Sequence, residues 1–288
     1  MSADVSPAAA AEAEEITRAS KSNLALAFIA LPRERRRDIS VFYAFCRVID
    51  DIADDPLPPV AERQRALDFW KESLAAPQPR EPALAPVVRE LIAKYRLPVE
   101  HFREIIAGCE MDLARVTYET WNDLRCYCHR VASVVGLVSI EIFGYRDSGC
   151  REYALDLGLA LQLTNILRDV GQDYASDGRI YLPREEMERF GYPPEALAQR
   201  IRSPQFLALM EFQAARAHDF YRRARAALPP IDQRSMAAAE IMRTVYFKLL
   251  TRMERDGFRV FDRRYRLNKL EKTLCIARVL LTPVRMRP

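Results

Sequence analysis

Apolar residues recur along this chain at three- and four-residue intervals, in one proline-bounded segment after another. That is the periodicity of helix faces rather than of strands. A first helix is expected to open at Ser20-Lys21-Ser22 and to end near Leu31, and Pro32 begins the next, which stops at Pro56-Leu57-Pro58-Pro59. Further helices are expected over residues 61–75, 86–95, 98–114, 119–143, 150–174, 193–200, 203–227, 231–256 and 262–280. A proline-rich loop spans residues 76–86, and Asp177-Gly178 is a turn signal. There is no alternating strand pattern and no internal repeat. The pattern predicts an all-α fold, a bundle of about ten helices around a central cavity.

Two of these helices break the pattern in the same way. In the first, Tyr43, Arg47, Asp50 and Asp54 step by 4, 3 and 4, so they share one face. Phe42, Phe45, Cys46, Val48, Ile49, Ile52 and Ala53 fill the rest of the circumference. In the second, about 120 residues later, Gln162, Asn165, Asp169 and Asp173 step by 3, 4 and 4, among Leu161, Leu163, Ile166, Leu167 and Val170. Arg168 lies beside that stripe. A helix apolar on most sides is buried, and carboxylates are costly to desolvate unless they meet cations. Two such stripes facing each other would form a cage for divalent metal ions and for the anion those ions hold. Magnesium suits it, since Mg2+ takes one or two protein carboxylates and completes its shell with water and phosphate oxygens. Arg47 and Arg168 match phosphate oxygens in forked geometry, although each also has an Asp of its own helix within reach. Ser20 and Lys21 at a helix start offer backbone N–H groups and an ammonium to an anion; Ser20 would equally serve as a simple cap. Tyr43, Tyr127 and Tyr246 sit on apolar helices, as core tyrosines or as aromatic faces toward a cation.

Composition narrows the alternatives. Only nine of the 288 residues are glycine, and no Gly-x-Gly occurs, so the usual dinucleotide fingerprint is missing. A net charge of +4 does not point to nucleic acid. His101, His129 and His218 have no ligand spacing, and no Ser–His–Asp or Cys–His arrangement can be argued. The six cysteines read as free thiols in a reducing compartment, and Cys126-x-Cys128 lacks zinc-knuckle spacing. Residues 1–13 have no signal-peptide character and read as a frayed tail before one domain over 14–288. No uncharged apolar run approaches the ~20 residues of a spanning helix. The expected setting is cytoplasmic, with one qualification. From Phe258 onward nine Lys or Arg, among them Arg263, Arg264, Arg266 and Lys269, face only Asp262 and Glu271. That end either packs on the core with a solvated basic face or rests on an anionic membrane surface.

The motifs Asp50-Asp-Ile-Ala-Asp54 and Asn165-Ile-Leu-Arg-Asp169-Val-Gly-Gln-Asp173 resemble the two signatures of the squalene/phytoene synthase family. Tyr127-Cys-His-Arg-Val-Ala-Ser-Val-Val-Gly136, Glu110-Met-Asp-Leu113 and Gly178-Arg-Ile-Tyr-Leu-Pro183 are similar to that family too, so the likeness covers roughly residues 20–255. The resemblance implies an all-α isoprenoid synthase bundle with a deep cavity, using Mg2+ to join two prenyl diphosphates head to head. It implies that Asp50, Asp54, Asp169 and Asp173, with Asn165, hold the metals. Arg47, Asn165 and Arg168 would support the diphosphates, and Gln162, Tyr43, Tyr127 and Tyr246 would line the reacting centre. One departure is Asn23, where the family often has an aromatic residue; Phe28 is a candidate to compensate. The resemblance favours two farnesyl diphosphates giving presqualene diphosphate, with onward conversion to squalene or hydroxysqualene open. Phytoene formation from two geranylgeranyl diphosphates and a non-catalytic assembly role remain as alternatives. NADPH use also stays open, because squalene synthases resemble this fold and bind it without Gly-x-Gly.

Overall fold

A computed structural model describes Glu15, residues 26–114 and residues 117–281. Ser20, Lys21, Asn23, the expected tail and the expected start of the first helix lie outside the described residues. Within them the chain is helical and without strands. A short 3-10 turn, Phe28–Ala30, leads into α1, Arg33–Asp54. Then come α2, Val60–Ala75, α3, Ala85–Tyr95, and α4, Val99–Leu113. Helix α5, Trp121–Phe143, precedes the long α6, Gly149–Asp177. Two short helices, α7 Arg184–Arg189 and α8 Pro194–Ala198, are followed by α9, Pro204–Ala227. The chain closes with α10, Ala237–Arg255, and α11, Lys269–Leu281.

Local chemistry sets several of these limits. Thr120 caps α5 in a reciprocal capping box with Asp123, which satisfies two otherwise orphaned backbone donors. Gly178, at φ 75°, ends α6 in the left-handed conformation, where a glycine carries no Cβ penalty. Arg36 donates to the carbonyl oxygens of Phe28, Ile29 and Leu31 at 3.0–3.1 Å, holding the 3-10 turn against α1.

Helices α5 and α6 form the centre. Helix α5 is long and apolar enough to cross a membrane by length and composition, but here it packs against α4 and α6. Over His129–Ser133 it widens into a π turn. There Ser133 donates to the Leu155 carbonyl at 2.8 Å. A Cβ on Gly158 of α6 would lie 2.6 Å from the Ser133 Cα, so glycine permits this close crossing. On one side an aromatic cluster of Phe42, Phe45, Trp70 and Phe102 joins α1, α2 and α4. On the other, the buried Glu186 of α7 is clamped by Gln213 and Arg216 of α9. The Arg216 guanidinium lies 4.1 Å from the Trp121 ring centre. The apolar core runs without a break from Ala27 to Cys275.

Two expected helices start later than their periodicity suggests, and one helix was not expected. The helix expected over 231–256 begins at Ala237, after a 3-10 turn at Pro230–Asp232. The buried Asp232 accepts from the backbone N–H groups of Arg146 and Asp147 at 2.9 Å, which ties that turn to the α5–α6 loop. The helix expected over 262–280 begins at Lys269. The preceding residues are pinned as a loop by the Tyr265 hydroxyl, which donates to Asp256 and accepts from the Arg259 N–H. Helix α7 is too short for an apolar period. Its signal is Pro183 followed by Glu185 and Glu186 in the first turn.

Candidate active site

The α1 stripe stands as the spacing predicts. Phe42, Phe45, Ile49 and Ala53 are buried, while Tyr43, Arg47, Asp50 and Asp54 keep access to solvent on the other face. Tyr43 meets the buried Phe28 edge to face, with ring centres 6.2 Å apart. Arg47 donates to Asp51 at 3.0 Å and to Asp50 at 3.2 Å. On α6, Arg168 grips Asp169, its Nε 2.9 Å from Oδ1, and Tyr246 of α10 stands beside the same guanidinium. In this structure each arginine therefore pairs with carboxylates of its own helix.

Asn165 and Gln162 occupy the next turn of α6. Asn165 donates weakly to the Gln162 carbonyl at 3.4 Å, and its own Oδ1 is buried with no partner. A buried unpaired carbonyl oxygen costs roughly 1–3 kcal/mol, unless a cation or a substrate group uses it.

The two stripes meet through Arg179, just past the end of α6. Its guanidinium reaches Asp54 at 2.9 Å and Asp177 at 2.8 Å. Around it the carboxyl groups are crowded. Loss of solvent and the neighbouring Asp54 carboxylate raise Asp50 to about 6, against the pull of Arg47. Loss of solvent, then Asp169 and Asp177, raise Asp173 to about 7. The raised carboxyls of Asp50 and Asp173 mark where a further positive charge is wanted.

A further acidic group lies close by. Asp112 of α4 accepts from the Tyr127 hydroxyl at 3.0 Å and from the Tyr181 hydroxyl at 2.7 Å. Burial raises it to about 6, although both phenols and Arg179 favour its charged form. The Tyr127 ring stacks on Tyr181 with centres 5.2 Å apart, and Tyr118 lies 5.4 Å from Tyr127. Burial pushes all three phenols up, so they stay protonated, and Tyr127 and Tyr181 keep the protons they donate to Asp112. Sequence reasoning noted the segments holding Asp112, Arg179 and Tyr181 but gave them no role. A signal existed: Ile105, Cys109 and Asp112 step by 4 and 3, which puts Asp112 on the side of α4 that the other two bury.

The donor set suits a hard divalent cation. Every candidate ligand is an oxygen, the carboxylates repel one another, and the Asn165 oxygen lacks a donor. Among the described residues no three acidic side chains converge into a closed cage. That fits an ion sharing its shell with water and phosphate better than one enclosed by protein. Nearby, Val131 and Val135 of α5 and Leu161 of α6 stay only partly buried although they lie on the two central helices. Partly exposed apolar residues on the central helices are the candidates for the wall of a hydrocarbon-binding space.

An all-α bundle that offers two acidic helix faces with arginines beside them has the features of enzymes that hold diphosphate esters of hydrocarbons. The chain belongs to the squalene/phytoene synthase family, whose model matches residues 17–271, and it is a prenyl transferase of the head-to-head class. It is 35% identical over 271 residues to a 15-cis-phytoene synthase of Synechococcus elongatus, covering 88% of this chain and 86% of that one. It is 33% identical over 269 residues to a presqualene diphosphate synthase of Zymomonas mobilis, covering 93% and 92%. Among solved structures it is similar to a dehydrosqualene synthase in complex with a ligand, at TM-score 0.81 and 29% identity over 94% of this chain and 95% of that one. A squalene synthase of Alicyclobacillus acidocaldarius follows at TM-score 0.77 and 27% identity, covering 87% and 95%.

Proposed function

We propose that the protein joins two molecules of farnesyl diphosphate head to head to give presqualene diphosphate. The observation that carries this reading is the Arg179 bridge between Asp54 of α1 and Asp177 at the end of α6, with the raised carboxyls of Asp50 and Asp173 one turn from each. Asp50, Asp54, Asp169 and Asp173, with the unpaired Asn165 oxygen, would hold Mg2+. Bound there, the metal would supply Lewis-acid neutralisation of the diphosphate oxygens. Arg47 and Arg168 exchange part of their carboxylate contacts for those oxygens and orient the leaving group. The first diphosphate leaves and an allylic cation remains. The alkene of the second substrate attacks it, a proton is lost, and a cyclopropane closes. Tyr43, Tyr127 and Tyr246 present aromatic faces to the cation. Asp112 fixes the Tyr127 phenol in one orientation, and Gln162 sits one turn from Asn165 on the same face of α6. Val131, Val135 and Leu161 keep water from the cation, where preorganised charge counts most.

The thirty-carbon choice is supported by the dehydrosqualene and squalene synthase structures this chain resembles. The phytoene synthase relatives favour a second reading, with two geranylgeranyl diphosphates as substrates. Incubation with Mg2+ and each diphosphate in turn, without and with NADPH, followed by mass spectrometry, separates them. Presqualene diphosphate, squalene or hydroxysqualene is the expected result. A forty-carbon product alone, with farnesyl diphosphate inert, overturns the substrate. No product from either, with folded protein, revives the non-catalytic assembly role.

A further inference from the structure

Helix α11 has two apolar faces, and only one of them is used. Its inner face docks on α10 through the buried Cys275 and the partly buried Ile276 and Val279. Glu271 fixes that face by pairing with Arg252 and with Lys248, the latter at 3.3 Å. Asn268 and Glu271 also cap the helix reciprocally at 2.9 Å. On a 3.6-residue period Leu270, Leu274 and Leu281 fall within a narrow arc opposite Cys275 and Val279. They are 68%, 58% and 81% exposed, and Leu280 beside them is 52% exposed. Scattered surface leucines need no explanation, but a stripe of them on one docked helix does.

The charge around the stripe says what covers it. Arg264, Arg266 and Lys269 are exposed at the N-terminal end of α11, and none pairs with a carboxylate among the described residues. The acidic side chains nearby are already engaged: Asp262 with Arg259, Asp256 with Arg263, and Glu271 with Arg252 and Lys248. We propose that α11 lies in the plane of an anionic lipid bilayer, its leucine stripe in the acyl boundary and Arg264, Arg266 and Lys269 among the headgroups. A helix with one apolar face and a basic flank binds such an interface by area and by charge together. Each cation close to an anionic surface contributes about fivefold to binding. A second copy of the chain fits this face less well. It would bring the same unpaired cations toward each other, with no free acidic patch on the helix to receive them.

Flotation of the full chain with vesicles tests this directly and needs no turnover, so its result stands apart from the proposed reaction. The probes are phosphatidylcholine vesicles with and without one third phosphatidylglycerol. The expected result is binding to the anionic vesicles that weakens in high salt. Leu274→Asp, at an exposed site, should lower binding by about tenfold without moving the melting temperature. Lys269→Glu combined with Arg266→Glu should remove the preference for anionic lipid. Three results overturn the proposal: no binding to either vesicle, equal binding that ignores both substitutions, or a lipid-free dimer in ultracentrifugation that Leu274→Asp abolishes.

Discussion

The stripes on α1 and α6 each carry two aspartates four residues apart with an arginine close by, yet they sit in different surroundings. On α1 the side chains of Arg47 and Asp50 are 47% and 50% exposed. On α6 those of Arg168 and Asp169 are 16% and 17% exposed. Arg47 divides its contacts between Asp50 and Asp51, both at the open rim, and leaves Asp54 to Arg179. Arg168 holds Asp169 alone, and Asp173 one turn further on has no cation of its own helix in hydrogen-bond contact. The α6 stripe is therefore the less solvated half, where a unit of charge counts for more. The α1 stripe is the wetter half, where water screens the ion pairs and partners exchange at little cost.

Neutralising one carboxylate in each half should break the symmetry of sequence. Asp169→Asn is expected to cut turnover by roughly 10^3-fold or more, and Asp50→Asn by roughly 10^2-fold. Both should leave helicity intact, since neither carboxylate is part of the core. Single-turnover rates at saturating Mg2+, with circular dichroism as control, provide the check. Equal losses would show that burial does not distinguish the stripes. Activity within a few-fold of the parent for both would remove the metal reading altogether.

Arg179 joins the halves, so Arg179→Ala should affect both. With Mg2+ saturating, turnover is expected to fall by about 10- to 100-fold. Without metal, Asp54 and Asp177 would lose their shared cation, and the melting temperature should drop by about 2–4 °C. Added Mg2+ should then stabilise the variant more than the parent. An unchanged melting temperature in the metal-free variant would mean that the bridge between the helices carries no strain-bearing charge.

Why the stripes were legible and their junction was not follows from distance along the chain. A polar line at helical spacing in an apolar helix can be read locally, because each member is three or four residues from the next. The helices, the bundle class and the faces of α1 and α6 all rest on that local signal. Arg179 and Asp54 are 125 residues apart, and Tyr181 and Asp112 are 69 apart. Only packing brings them together, so a lone Asp112 reads as one acid on an apolar helix. The same limit explains the late start of α11. Phe261 and Tyr265 keep a four-residue helical step, but Asp256, nine residues before Tyr265, takes the Tyr265 hydroxyl and holds the segment out of a helix.

Asp112 offers a smaller test of the α1 side. Asparagine there keeps one carbonyl acceptor for two phenols, leaving either Tyr127 or Tyr181 without its partner. An unsatisfied buried hydroxyl costs roughly 1–3 kcal/mol, so Asp112→Asn should slow turnover by about 5- to 10-fold and lower the melting temperature by a few degrees. If Tyr127 is only a core residue, stability should fall while the rate constant at saturation stays at the parental value.

The smallest expected effect is in pH, and its sign distinguishes the crowded site from ordinary surface carboxylates. Asp50 and Asp112 are raised to about 6 and Asp173 to about 7, from 3.8 when unfolded. Between those values the folded protein holds more protons than the unfolded chain, so stability falls as pH rises. The contribution is fully present below about pH 4 and is lost by about pH 7. Glu271, lowered to about 2 by the Arg252 pairing, acts oppositely but only below about pH 4.5. Metal-free protein should therefore melt a few degrees lower at pH 7.5 than at pH 5.5, with Asp50 contributing least because water screens its half-exposed carboxyl. Mg2+ binds the ionised carboxylates, so adding it should flatten or reverse the slope. Asp173→Asn should flatten it without metal. A metal-free melting temperature that rises over this interval would mean that cations already on the chain, Arg179 first among them, balance the site fully.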